Sequence, residues 1–326
     1  MKAFRAILAL AFAGALALSA GVLYISWIMQ TAAPLTRDEI VFIPPGTSVT
    51  NIADTFAAQN ALDSKAKVIF PYYARLTGAG GNLQAGEYKI TPGMSAADII
   101  QLLEDGNTIK RQITIPEGLT SFEIIALLNA APAMEGEVTD LPDEGSLLPE
   151  SYAYIRGDRR PKIIERMQNQ MRETLNTLWP DRAKDLPFNT QKEAVILASI
   201  VEKETGIPDE RPRVAGVFIN RLRKGMPLQS DPTVIYAITH GQGKLNRKLY
   251  YKDLKRKDPY NTYYAAGLPP GPIANPGRAS LEAVLNPENH DYVYFVADGT
   301  GGHVFSKTLA EHNRNVAKWR KIQNAQ

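Results

Sequence analysis

The sequence of 326 residues predicts an α+β protein with a single N-terminal transmembrane helix, a small α/β subdomain and a larger mixed α+β domain. Three observations predict this class. A long apolar run opens the chain, a strand–turn–helix pattern then occurs three times, and the second half holds strongly apolar helical segments separated by Pro- and Gly-rich loops. At roughly 100–200 residues per domain, the length allows one membrane segment and two or three folded units.

Composition narrows the class of protein. Hydrophobic residues make up 44% and charged residues 22%, as in ordinary folded proteins. The net charge of +3, from 37 basic and 34 acidic residues, is too small and too evenly spread to predict a nucleic-acid partner. Because the chain has no cysteine, disulfides, Cys-ligated zinc and thiolate nucleophiles are excluded.

The amino terminus predicts a membrane anchor. Lys2 and Arg5 precede an apolar run from Ala6 to Met29. About 20 apolar residues span a bilayer, whereas a cleavable signal has an apolar stretch of roughly 7–15. Residues 15–17 resemble a cleavage site, which leaves a cleaved signal as the alternative, but the run continues well beyond them. We therefore expect a retained anchor.

The charge around the anchor predicts its orientation. The positive flank should stay in the cytoplasm, which places the chain from about residue 31 onward outside it. Tyr24 and Trp27 lie near the far end of the run, where aromatic side chains favour the membrane interface. The predicted division is residues 1–30 as cytoplasmic tip and transmembrane anchor, 31–38 as linker, 39–112 as the small subdomain and 113–326 as the larger domain.

A strand, a Pro/Gly turn, a Ser or Thr cap and an amphipathic helix recur at Ile43–Ile52, Ile90–Ile100 and Ile115–Ile125. This unit resembles the LysM module, a compact glycan-binding fold, so residues 39–112 are predicted to be LysM-like. The alternative is that such units only build a small α/β domain, because a fold does not establish binding.

Helical signals dominate the second half. Residues 131–150, rich in Pro, Gly and acids, predict a loop, and Pro161–Leu178 has helical spacing. Thr190 and Glu193 form a capping box in front of a second helix. A third helix follows residues 208–210 and ends at Gly225.

The helix after Thr190 carries the best candidate for chemistry. Its residues 194–201 are all apolar or small, which predicts burial on every side. Glu202 and Glu204 lie at its carboxyl end. Desolvation and the helix dipole both raise the pKa of a carboxyl there, as a general acid near neutral pH requires.

The two carboxylates cannot serve one site, because residues two apart on a helix point roughly 200° away from each other. Glu204 lies over Leu197, Ile200 and Val201, the bulkier side, so the spacing slightly favours Glu204 over Glu202. The alternative is that both are surface carboxylates at a fraying helix end.

Polar and aromatic loops follow. Asp231 is either a helix cap or a functional carboxylate, and residues 260–263 and 267–273 offer hydroxyl, amide and aromatic groups suited to a carbohydrate groove or simply to packing. No metal-ligand spacing links the four histidines, of which His303, in a Gly-rich loop, either lines a cleft or serves a turn. These histidines are His240, His290, His303 and His312.

Several ordered blocks resemble the YceG-like (MltG) family of endolytic murein transglycosylases. They are Ala198–Thr205, Val217–Leu222, Leu228–Tyr236, Tyr260–Tyr263, Gly267–Ile273, Tyr294–Asp298 and Gly301–Phe305. The block Glu144–Tyr152 is also similar, although family members more often carry aromatic residues around its proline and Asp-Thr after it. With the anchor and the LysM-like segment, the resemblance covers nearly the whole chain.

The resemblance implies a function. The family's catalytic glutamate matches Glu204, residues 113–326 become a YceG-like catalytic domain, and the reaction is non-hydrolytic cleavage of the β-1,4 bond after N-acetylmuramic acid, which leaves 1,6-anhydro ends. One acid/base suffices, and no metal or cofactor is required. It also implies a single-pass protein of the bacterial cytoplasmic (inner) membrane with a periplasmic catalytic part, acting on peptidoglycan glycan strands as they are made, with peptidoglycan synthases as candidate partners.

Five residues are candidates for orienting the substrate, each with a structural role as the alternative: Asn220, Gln229, Asp231, Tyr260 and Asn261. Two rival functions remain open. A hydrolase would use Glu204 as acid with Asp231 or Glu202 as base or nucleophile. A non-catalytic scaffold would use only the glycan-binding segment.

Overall fold

The computed structural model describes residues 2–323, and it has the predicted mixed α+β class with an N-terminal apolar helix. Its strands are β1 (Glu39–Ile43), β2 (Gly86–Ile90), β3 (Arg111–Thr114), β4 (Ser151–Tyr154), β5 (Tyr294–Ala297) and β6 (His303–Ser306). Its helices are α1 (Lys2–Gln30), α2 (Val49–Ala58), α3 (Ser64–Leu76), α4 (Ala96–Glu104), α5 (Ser121–Ala130), α6 (Arg160–Leu178), α7 (Gln191–Glu204), α8 (Arg211–Arg223), α9 (Asp231–Thr239), α10 (Tyr251–Leu254), α11 (Arg278–Leu285) and α12 (Leu309–Gln323).

The described chain divides into two compact units. The first unit comprises residues up to Arg111 together with Ala153–Asp158, and the second comprises Gln112–Tyr152 and the chain from Arg159.

Helix α1 is the one described helix long and apolar enough to cross a bilayer, over Phe4–Gln30. Its 27 residues span about 40 Å, more than the roughly 30 Å of a bilayer core. Side chains from Phe4 to Tyr24 are exposed, whereas Ile28 and Met29 are buried in the core of the first unit.

The first unit is built around an antiparallel pair, β1 with β2, in which Glu39 lies opposite Ile90 and Ile43 opposite Gly86. Helices α2, α3 and α4 pack around this pair over a core that includes Phe56, Phe70 and Tyr88. Apolar residues from all these elements meet there, which accounts for the folding of so short a sheet.

The thrice-repeated strand–turn–helix pattern is confirmed. Each turn places a glycine at positive φ, and each helix begins at a Ser or Thr whose side chain accepts a backbone amide. The glycines are Gly46, Gly93 and Gly118, and the caps are Ser48, Ser95 and Thr120. The loop at residues 131–150 and the helix at 161–178 also agree with prediction.

The predicted linker at residues 31–38 is packed rather than free. Leu35 is buried, and the amide of Ala33 donates to the carbonyl of Met94 at 2.9 Å. The apolar residues Ala33 and Leu35 of this segment join the core of the first unit.

In the second unit, α7 is the central helix and packs against α8, α9 and α11. The antiparallel hairpin β5–β6 packs against α8 and α12, with Tyr294 opposite Ser306. The end of α7, the start of α9 and this hairpin enclose the site described next.

Candidate active site

A strong cap fixes the start of α7. Thr190 Oγ1 accepts the amide of Glu193 at 3.2 Å, and Glu193 Oε2 accepts the amide of Thr190 at 2.9 Å, which confirms the predicted capping box. Every residue from Ala194 to Val201 is buried. The helix therefore holds its last turn, with Glu202 and Glu204, rigidly in place.

Glu202 is used for structure. Its carboxylate accepts the amide of Gly277 at 2.9 Å and faces the guanidinium of Arg211 at 3.5 Å, and its side chain is only 5% exposed. These contacts tie α7 to the start of α11 and to α8. Glu202 does not line the cavity that contains Glu204.

Glu204 is the last residue of α7 and lines a cavity of about 550 Å³. The cavity is lined by both apolar and polar groups, as small-molecule binding sites are. Its wall also includes Arg221, Gln229, Asp231, Tyr263, Tyr294, Phe295, His312 and Asn313. The structure thus brings Glu204 together with two of the predicted substrate residues, Gln229 and Asp231.

The surroundings of Glu204 favour its protonated form. Burial is the main cause and raises the pKa of Glu204 to about 7. The Ser230 hydroxyl lowers this pKa, whereas the negative charge of Asp231 raises it. Interactions with His303 and Arg221 lower it by smaller amounts. A carboxyl with a pKa near 7 can both donate and accept a proton at neutral pH.

Asp231 is the first residue of α9 rather than its cap, a position held by Ser230. Its Oδ1 accepts a hydrogen bond from the hydroxyl of Tyr263 at 2.7 Å. Burial and this bond raise the pKa of the Tyr263 phenol, so Tyr263 stays a donor and Asp231 an acceptor.

Gln229 precedes this pair and lies in the left-handed region, with φ of 51°. Its amide donates to the carbonyl of Thr262 at 3.1 Å, and the next amide, of Ser230, donates to Thr262 Oγ1 at 3.0 Å. These bonds hold the strained turn and direct Gln229 and Asp231 to the cavity.

Arg221 holds the cavity wall together. Its Nε donates to the carbonyl of Val293 at 2.6 Å, and its Nη1 donates to the carbonyl of Leu228 at 2.8 Å. One buried guanidinium thereby joins the start of the β5–β6 hairpin to the loop in front of α9. Sequence reasoning missed this role, although an arginine on the buried face of an apolar helix was a signal for it.

The opposite wall comes from the hairpin and α12. Tyr294 stacks on His312 with ring centroids 5.1 Å apart. Burial lowers the pKa of His312, which keeps the ring neutral near pH 7. These flat, uncharged rings offer a surface for the apolar face of a sugar. Their contribution was missed because polar loop residues, rather than α12, carried the sequence argument.

Three predicted substrate residues lie elsewhere. Asn220 donates to the carbonyls of His290 and Tyr292, at 2.6 and 3.0 Å. Tyr260 packs on Tyr236, and Asn261 is fully buried, where it holds its own loop through the carbonyls of Leu254 and Arg256. None of the three lines the cavity of Glu204.

His303 begins β6 and contacts Glu210 Oε2 through its Nδ1 at 2.7 Å, so it braces the hairpin against the start of α8. Within residues 2–323, no three His, Cys, Asp or Glu side chains are grouped so that they could hold a metal ion.

A second carboxyl, Glu144, also has a pKa raised to about 7 by burial. Unlike Glu204 it is hydrogen-bonded on all sides, by the amide of Ser121 at 2.8 Å and by Asn275 Nδ2 at 2.9 Å, with Tyr236 at 3.5 Å. It joins α5, α9 and the segment before α11, which is a structural role. Of these two carboxyls with a pKa near 7, Glu204 is the one that lines a cavity.

A family model described as the YceG-like family matches residues 41–318, most of the chain. The chain belongs to the YceG-like family. A crystal structure of a YceG-like protein from Listeria monocytogenes is similar, with a TM-score of 0.50 and 31% sequence identity over 85% of this chain and 99% of that one.

Two curated relatives carry a functional name. The endolytic murein transglycosylase of Bacillus subtilis is 36% identical over 314 residues, which cover 86% of this chain and 85% of the relative. The endolytic murein transglycosylase of Streptococcus pneumoniae is 31% identical over 327 residues, which cover 85% of this chain but only 58% of that longer protein.

Proposed function

We propose that this chain is an endolytic murein transglycosylase, a lyase, in which Glu204 is the general acid and base. Family membership and the two named relatives support the reaction class. The observation that carries the role of Glu204 is its position at the end of a buried helix, in a cavity, with a pKa near 7.

The proposed reaction uses one proton twice. Protonated Glu204 donates to the glycosidic oxygen while the bond from C1 of N-acetylmuramic acid to that oxygen breaks, which releases the 4-hydroxyl of N-acetylglucosamine. The ionised Glu204 then takes the proton of the muramyl 6-hydroxyl, whose oxygen bonds to C1. The product is a 1,6-anhydro end, no water is consumed, and Glu204 regains its proton.

Asp231 is proposed to stabilise the positive charge that develops at C1 when the bond breaks. It lines the same cavity as Glu204, and the hydrogen bond from Tyr263 fixes one of its oxygens. Gln229 is proposed to bind sugar hydroxyls at the same wall. Asn220 and Asn261 keep only indirect roles in this proposal, because their side-chain amides are used within the protein. Tyr260 also keeps an indirect role, because it does not line the cavity.

Muramidase activity is the second candidate, and Asp231 is the observation that favours it. A hydrolase needs a second carboxylate beside the acid, and Asp231 occupies that wall. Glu202 is unsuited to be the second carboxylate. It lies outside the cavity, and its oxygens already contact the amide of Gly277 and the guanidinium of Arg211.

Product ends distinguish the two reactions. Purified, uncrosslinked glycan strands are digested with the full chain in detergent, and the masses of the new ends are determined by mass spectrometry. Ends lighter by one water than reducing muramic ends support the lyase, whereas reducing ends would establish the muramidase. Early products of intermediate length identify internal cleavage.

A matched pair of variants tests the acid. Glu204→Gln is expected to fold normally and to lose cleavage by about 10²–10⁴-fold, because the amide cannot donate the proton. Glu202→Gln, two residues away, is expected to keep cleavage in its folded fraction. Unchanged cleavage by Glu204→Gln would overturn the role of Glu204 as the acid. A variant that loses cleavage but keeps all effects in cells would favour a glycan-binding scaffold instead.

The location completes the proposal. Helix α1 anchors the chain in the bacterial cytoplasmic membrane, with the following residues in the periplasm, as the flank of Lys2 and Arg5 indicates. The first unit is proposed to be LysM-like and to bind glycan, supported by its capped strand–turn–helix units. Peptidoglycan synthases are the proposed partners, since strand trimming follows synthesis.

A further inference from the structure

Helix α3 carries an apolar stripe on its outward face. Val68, Tyr72 and Leu76, spaced four residues apart on one side of the helix, are 65%, 64% and 82% exposed. Lys65 and Arg75 flank the stripe. We call these five residues the outward face of α3. The opposite side of the helix is buried in the first unit through Ala66, Phe70 and Ala74.

The contacts of α1 place α3 at a definite depth. Helix α1 packs against α3, and of its described side chains only those of the last turns enter the core of the first unit. Those residues are Ile25, Ile28 and Met29. About 20 residues cross the bilayer core, so a span that starts at Ala6, after the positive flank, ends near Ile25. The contact residues thus lie at the level of the lipid headgroups, and α3 lies there with them.

We propose that the outward face of α3 lies in the headgroup layer of the bilayer that α1 crosses. This inference rests on the proposed anchorage of α1 and adds a second membrane contact to it. The occupant is a lipid surface, because α3, which carries this exposed apolar face, packs against the helix proposed to cross the membrane.

The chemistry of the face fits that occupant. Val68 and Leu76 reach the acyl boundary, and the ring of Tyr72 suits the interface, as do the rings of Tyr24 and Trp27 on α1. Lys65 and Arg75 can extend their charged ends to anionic headgroups while their stems cover apolar surface. The first unit is then held at the membrane by two elements.

The absence of cysteine gives a clean test. Single substitutions Leu16→Cys, Lys67→Cys and Tyr72→Cys in the full chain each carry a nitroxide label, and the protein is placed in vesicles of phosphatidylethanolamine and phosphatidylglycerol. Relaxation by oxygen, which concentrates in lipid, is compared with relaxation by a water-soluble nickel complex. Lys67 is the matched control, since it lies on the same helix and turns towards Asp54 at 2.7 Å.

The Tyr72 label is expected to resemble the Leu16 label, with oxygen access and little nickel access, while the Lys67 label shows the reverse. Labels at Val68→Cys and Leu76→Cys should follow Tyr72. If the Tyr72 label is as accessible to nickel as the Lys67 label while the Leu16 label is accessible to oxygen, the inference is overturned and the anchorage is not. If the Leu16 label is accessible to nickel and not to oxygen, both the proposed anchorage and the inference are overturned.

Broadening of the Tyr72 signal that disappears on dilution with unlabelled chain would show that a second copy covers the face, and would also overturn the inference. The catalytic proposal is independent of all these outcomes, because the candidate active site lies in the second unit and is tested by the ends of the cleaved glycan strands.

Discussion

At the scale of single residues, two glutamates at one helix end have separate uses. Glu202 is held by a charge-assisted bond and a backbone amide, whereas Glu204 lines a cavity and its burial disfavours its ionisation. The rotation between positions two apart on a helix is what separates them. A structural carboxyl and one proposed to be catalytic can therefore lie two residues apart without sharing a proton.

The raised pKa of Glu204 predicts a pH profile. Because the first step needs the protonated acid, kcat/KM on glycan strands should fall as the pH rises through about 7. Asp231→Asn should move this alkaline limb to lower pH, since the charge of Asp231 raises the pKa of Glu204. A limb that stays in place in Asp231→Asn would contradict the proposed interaction, whatever happens to the rate.

The same pKa predicts a cost in stability. The pKa of Glu204 in the folded protein lies above its ordinary value of 4.5, so the folded state loses stability as the pH rises from about 4.5 through 7. Glu204→Gln should therefore raise the free energy of unfolding by about 1–3 kcal/mol near pH 8, with the gain vanishing near pH 4. Thermal unfolding at both pH values measures it.

Glu202→Gln is the control for that experiment, with the opposite sign. It weakens the acceptor for Gly277 and leaves buried Arg211 with less compensation, at a cost of about 1–3 kcal/mol. Equal effects of the two variants would mean that both carboxyls are structural.

How far the sequence predicts this site depends on distance along the chain. The position of Glu204 follows from local periodicity and from the family resemblance. Tyr263, Tyr294 and His312 reach the cavity from a loop, a strand and a helix further along, and no local pattern announces which loop folds over which helix end. Asn261 lies in a loop whose polar and aromatic residues predicted substrate binding, but its side-chain amide donates to two carbonyls of the protein instead.

At the scale of elements, capping chemistry was the reliable signal. The turn glycines and the Ser or Thr caps predicted three helix starts, because both act within four residues of the chain. The β5–β6 hairpin was not predicted as two strands. Each strand has only four residues, and all side chains of β5 are half-buried, so the alternation that marks a strand is missing.

Arg221 predicts how these elements depend on one another. Arg221→Lys keeps the charge but loses the planar fork that reaches Val293 and Leu228. We expect a loss of about 2–4 kcal/mol in the free energy of unfolding and a larger loss of kcat than of substrate binding, since the cavity walls separate. Arg223→Lys, two residues along and exposed, should change neither; a similar loss there would refute the bracing role.

At the scale of the whole molecule, the apolar helix α1 and the rest of the first unit form one folded element. Met29 is fully buried and belongs to the same hydrophobic core as Phe70 and Tyr88. In the segment after it, the amide of Ala33 donates to the carbonyl of Met94, just before α4. The apolar run alone predicted an anchor but not this continuity, because the same leucines and isoleucines suit lipid or a protein core. The length of the run explains the continuity. The run is longer than a bilayer core requires, and its last residues are buried in the first unit.

This continuity predicts different effects for neighbouring residues of α1. Met29→Ala should destabilise the first unit by about 2–4 kcal/mol, because it leaves a cavity in the core. Trp27→Ala should change stability by less than about 0.5 kcal/mol in detergent micelles, since Trp27 is 62% exposed. Both effects are measured by denaturant unfolding of the full chain in micelles, with protease cleavage within residues 39–111 as the readout of unfolding. Equal effects would mean that α1 is only a tether and that the first unit folds without it.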